Sequence, residues 1–135
     1  MKLYEKKPII TETEKDFYIF FREHYGDKYI INLQVPLNSI IKKNYSNYYI
    51  TELFRTIDFG FINKWGDVEL LIEINDESHN ESERKERDKK VKEILEEAEI
   101  PLITFWVNKP NTKQYMLDKI NEQLQKKDRK KRTLY

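Results

Sequence analysis

The residues with the most chemistry to offer are Asp58 and Glu73. They stand fifteen positions apart on two apolar runs joined by a short turn. A hairpin of that length brings two such side chains together across a sheet. Glu73 lies within Leu70-Leu71-Ile72-Glu73-Ile74. A charge there is costly unless it is paired or bound to a cation. Two neighbouring carboxylates repel, and a divalent metal relieves the repulsion. Hard oxygen donors suit Mg²⁺ or Mn²⁺. Such a metal activates water and stabilises charge in phosphoryl transfer. The plainer account of either acid is a surface carboxylate with a Lys or Arg partner.

Other residues extend this set. Glu14 falls on the stripe of Phe17, Tyr18, Phe21 and Tyr25, so it points inward or along the sheet edge. It either completes a capping box with Thr11 or reaches the metal or its water. His79 follows Glu73 closely in sequence. It is a structural histidine, or a group that binds phosphate, orients water or exchanges protons near neutral pH. Arg84, Arg87, Asp88 and Lys89 open a charged helix, with Arg84, Arg87 and Asp88 on its inward stripe. A cation there completes a charge network with the acids or contacts a phosphate. The alternative is a solvated face of i,i+4 pairs.

The elements that must position these residues are legible from periodicity. Residues 11–25 read as a helix, capped by Thr11 and stopped at Gly26. Tyr29, Ile31, Leu33 and Val35 alternate with mostly polar residues as a strand, which Pro36 ends. Residues 37–49 read as a short helix followed by an exposed loop. Residues 54–62 and 68–75 form a hairpin around Gly66, with Ile57, Phe59 and Phe61 on one face. A helix over 82–97, a strand over 100–107 buried on both faces and a helix through Met116, Leu117, Ile120 and Leu124 follow. Residues 126–132 read as a basic tail. The fold class is α/β, a mixed four-stranded sheet flanked by helices in the order α-β-β-β-α-β-α.

The chain has 135 residues, the length of one domain, with a core over about 12–125. Lys and Arg number 25 and Asp and Glu 24, so net charge alone argues for neither nucleic acid nor membrane. The absence of cysteine excludes disulfides, thiolate zinc sites and cysteine nucleophiles. No apolar run approaches about 18 residues, and no apolar stretch follows the first residues as in a secretory signal. A cytoplasmic protein with no membrane partner is expected.

Taken together, several stretches resemble a known family. These are Glu14-Lys15 with Phe17-Tyr18, Gln34-Val35-Pro36-Leu37, Ile40-Ile41, Asp58-Phe59 and Ile72 to His79. Arg87-Asp88 and Ala98-Glu99-Ile100-Pro101-Leu102-Ile103 complete the match. The chain looks like a member of the bacterial domain of unknown function 2726. That family is assigned to the PD-(D/E)xK nuclease superfamily, near the very-short-patch repair endonucleases. The resemblance covers about residues 12–107.

It implies a restriction-endonuclease-like core in which Asp58 and Glu73 bind Mg²⁺ (or Mn²⁺). Glu14 would match an acid carried on the first helix, and His79 the histidine that assists the metal-bound water. Two departures stand out: Ile57 precedes Asp58 where the motif has Pro, and Asn75 stands where it has Lys. Asn75 polarises water but supplies no positive charge. Lys89 or Lys92 would have to supply it. The expected activity is metal-dependent hydrolysis of DNA phosphodiester bonds. The alternative is an inactive nuclease-fold domain that binds nucleic acid or another protein. A homodimer or an accessory protein is the further partner expected.

Overall fold

The computed structural model describes residues 2–44, 51–76 and 82–133; side chains at 82–84 and 127–133 lie outside the description. The elements follow the expected order. They are α1 (Glu12–Tyr25), β1 (Ile30–Pro36), β2 (Thr56–Ile62), β3 (Val68–Asn75), α2 (Ser82–Glu97), β4 (Leu102–Trp106) and α3 (Lys113–Thr133). Two 3-10 turns, Leu37–Ser39 and Thr51–Leu53, precede β2.

One four-stranded sheet has the order β1-β2-β3-β4. β1 to β3 pair antiparallel, and β4 runs parallel to β3 after the α2 crossover. On one face, Phe21 and Tyr25 of α1 and Met116 and Ile120 of α3 pack on Phe59, Phe61, Leu70, Ile72 and Phe105. On the other, Val91 and Leu95 of α2 join Leu37 and Leu53 over Val35, Ile57 and Leu71. The molecule is therefore three layers, with α1 and α3 on one side of the sheet and α2 on the other. Among the described residues no helix is long and apolar enough to cross a membrane.

Local chemistry explains the boundaries. Thr11 and Glu14 form the full capping box at the start of α1, and the Gly26 N–H closes its end on the Arg22 carbonyl. At the hairpin tip Gly66 has a φ of 89°, which glycine adopts freely. Gly60 matters for another reason. A Cβ there would stand 2.8 Å from the Val35 side chain, so only glycine lets β1 and β2 approach this closely.

Several expectations are corrected. β2 starts at Thr56, not at 54, because Phe54 closes the preceding 3-10 turn onto the Thr51 carbonyl. Ile57 does not share a core with Phe59 and Phe61; it packs with Val35 under α2. Leu33 and Val35 are split in the same way. Between them Gln34 adopts a φ of 53°, a left-handed conformation that interrupts the pleat opposite Asp58. Arg87 on α2 and Ala98 just past its end are exposed, and the inward stripe runs through Asp88, Val91 and Leu95. β4 is an edge strand buried on one face, through Ile103 and Phe105. The basic run expected as a tail continues α3 to Thr133. The predicted loop at 45–49 falls outside the described residues, although the short helix before it is present as the Leu37–Ser39 turn.

Candidate active site

The interruption at Gln34 and Asp58 marks the place where β2 and β3 part. Their pairing runs from Ile62 and Val68 to Phe59 and Ile72. Beyond it, the Asp58 carboxylate takes the place of a backbone acceptor: Oδ2 receives the Ile74 N–H at 2.8 Å. A short carboxylate side chain thus fills a fork in the sheet and is held there by β3 itself.

Glu14 reaches the same point from α1 and is almost fully buried. Its Oε1 accepts the Thr11 N–H at 2.9 Å and the Thr11 hydroxyl at 3.0 Å. The same carboxyl group lies close enough to the Asp58 side chain to act on its charge. Glu14 is therefore the helix cap, and it also lies beside Asp58.

Burial pushes the Asp58 carboxyl up, from 3.8 to about 7. The Ile74 N–H opposes it, and Glu14 and Glu73 add to it. Carboxylates brought together and taken from water hold either a proton or a cation.

Glu73 lies across the fork on β3 and meets a cation. Arg55 Nη2 stands 3.4 Å from its Oε1 and only 2.6 Å from Oδ1 of Asp88 on α2. Arg55 is fixed at its own backbone too, because its carbonyl receives the Leu37 N–H at 2.9 Å. Asp88 Oδ1 is buried, and its contact with Arg55 lacks hydrogen-bond geometry.

The structure thus brings together Glu14, Asp58 and Glu73. Asn75 is two residues beyond Glu73 on β3, on the same side of the strand, with its carbonyl accepting the Val107 N–H. Arg87 and Lys89 are exposed on α2. Arg84 is on the first turn of α2, with its side chain outside the description, and His79 lies outside the described residues altogether. Sequence reading missed Arg55. Its signal was indirect: an acid at Glu73 inside an apolar run demands a cation, and Arg55 enters the strand that faces it.

The donor set suits one kind of metal. Among the described residues no group of three or more His, Cys, Asp or Glu forms a cage for a metal ion. Mg²⁺ does not require one; it binds through one or two carboxylates and keeps several waters. Asp58 and Glu73 supply two hard oxygen donors, and the proton on Asp58 is one a cation would displace.

A family model described as "Protein of unknown function (DUF2726)" matches residues 6–127, and the chain belongs to that family. No curated protein and no solved structure matches it.

Proposed function

We propose that this member of the family is a metal-dependent nuclease of the PD-(D/E)xK type, similar to very-short-patch repair endonucleases, that hydrolyses phosphodiester bonds in DNA. The observation that carries the reading is the convergence of Glu14, Asp58 and Glu73 at the fork between β2 and β3. Asp58 and Glu73 would hold Mg²⁺ or Mn²⁺. When bound, that ion supplies an activated water and neutralises charge on the phosphate.

The chain's own residues do the rest. The Ile74 N–H orients the Asp58 carboxylate, with Glu14 beside it. Thr11 fixes Glu14, so the acid on α1 cannot swing away from the fork. Asn75, beside Glu73, orients water or phosphate without adding charge. His79 takes the proton-exchange role, and Arg84, Arg87 or Lys89 meets the backbone of the nucleic acid.

The second reading is an inactive nuclease-fold domain that binds nucleic acid or a partner protein, as an accessory module or a homodimer. Two observations favour it: Asn75 replaces the motif lysine, and Glu73 already faces Arg55. The two readings separate in one experiment. Supercoiled, linear and mismatched DNA are incubated with the chain in Mg²⁺ or Mn²⁺, and cleavage and binding are followed together. Cleavage abolished by EDTA supports the nuclease. Retention of DNA without any cleavage in either metal supports the accessory module.

A further inference from the structure

The Arg55 guanidinium is unequally shared between two carboxylates. It is close to Asp88, at 2.6 Å, and more distant from Glu73, at 3.4 Å. The closer contact is the less satisfactory one, since Asp88 Oδ1 is buried and its hydrogen bond is not formed. The contact is already short, so what is missing is alignment of an Arg55 N–H with the buried oxygen; that alignment would remove a desolvation cost and competes with the longer contact to Glu73.

A divalent cation at Glu73 drives the same realignment. A guanidinium 3.4 Å from the liganding carboxylate lies close enough to repel the ion strongly. The repulsion is relieved if Arg55 gives up its contact with Glu73 and keeps the closer one to Asp88. Arg55 precedes β2 and Asp88 lies on α2, so both partners of the exchange stand outside the strands.

We propose that Arg55 is the resident counter-ion of Glu73, and that Asp88 draws it off when a divalent cation binds. The Arg55–Asp88 pair then sets the metal affinity of the site. This rests on the reading of Asp58 and Glu73 as metal ligands. Arg55 and Asp88 act as positioning residues, because they alter occupancy without touching the ion.

The test is calorimetric titration of Mn²⁺ into the full chain as wild type, Arg55→Met, Asp88→Asn and the double variant, with Glu73→Gln as control. Removing the resident cation from Glu73 tightens Mn²⁺ binding about tenfold in Arg55→Met. Removing its acceptor leaves Arg55 on Glu73, so Asp88→Asn weakens binding several-fold. In the Arg55→Met background Asp88→Asn changes nothing, because no guanidinium remains to be drawn off.

An equal weakening by Asp88→Asn in both backgrounds would show a simple charge effect and overturn the exchange while leaving the metal site standing. Wild type that binds no Mn²⁺, or binds as Glu73→Gln does, overturns the metal site and the exchange together. Thermal midpoints are read for every variant. If Arg55→Met does not fold, Arg55→Lys replaces it in the cycle. Lysine keeps the charge but not the planar fork that reaches Glu73 and Asp88 together, so Asp88→Asn must then shift Mn²⁺ affinity less than it does in wild type.

Discussion

Asp58 does two jobs with one side chain. It accepts the Ile74 N–H at the point where the strands part, and it is buried beside Glu14 and Glu73. That burial, with the two acids adding to it, raises its pKa, and the consequence is a pH dependence. The folded chain holds the Asp58 proton up to about pH 7, whereas an unfolded aspartate releases it near 3.8. The folded state is therefore favoured by this group below 3.8, and the advantage is lost as pH rises toward 7. The thermal midpoint of wild type should fall across that window. In Asp58→Asn, which can still accept from Ile74 and can donate to Glu14, the fall should be much smaller. Thermal melts at pH 4, 5, 6 and 7 check this. An equal fall in both proteins would mean that the Asp58 carboxyl is not the cause.

Residue types announced this acid and Glu73, because a charge in an apolar run needs an explanation. They did not announce Arg55, whose place beside Glu73 depends on the 3-10 turns and the crossover helix that bring it there.

At the scale of elements, the capping box couples a helix end to the site. Thr11 holds Glu14 by two hydrogen bonds, and Glu14 lies beside Asp58. Thr11→Ala should cost about 1 kcal/mol of stability, the usual value of a helix cap. Because it frees Glu14, it should also weaken Mn²⁺ binding, which a merely structural cap would not do. Denaturant unfolding and calorimetry read the two effects.

Elements with strong periodicity were legible. α1 carries aromatic residues at helical spacing between a cap and a glycine, and β3 is a run of branched side chains. The face switch at Ile57 was not legible. Alternation counts residues, and it continues through Gln34 and Asp58 without a break in the sequence. The left-handed Gln34 stands where β1 passes from Leu33, packed in one core, to Val35, buried in the other. On α2 the inward stripe was misread at Arg87. The helix turns Asp88 inward to Arg55 and leaves Arg87 in solvent.

At the scale of the molecule, two cores of different character clamp the site between them. The one under α1 and α3 is aromatic, and Phe21 sits at its centre with rings of Phe17, Phe20, Phe59, Phe61 and Phe105 within 6.4 Å. Phe21→Ala should cost about 3–5 kcal/mol, the range for emptying a buried aromatic site, measured by urea unfolding. The core under α2 is aliphatic and lies on the side from which Arg55 and Asp88 reach Glu73. The acids meet where the sheet opens between these layers, which is how residues from α1, β2, β3 and α2 come to share one site.

The central claim is that Asp58 and Glu73 form a metal-dependent phosphodiesterase centre. It is tested most directly by the Mg²⁺-dependent conversion of supercoiled DNA to nicked or linear forms, with wild type beside Asp58→Asn and Glu73→Gln. The account predicts cleavage by wild type and a loss of at least about 10³-fold in each folded variant, as when a group acting at the reacting centre is removed. Cleavage at wild-type rate by either variant would contradict it.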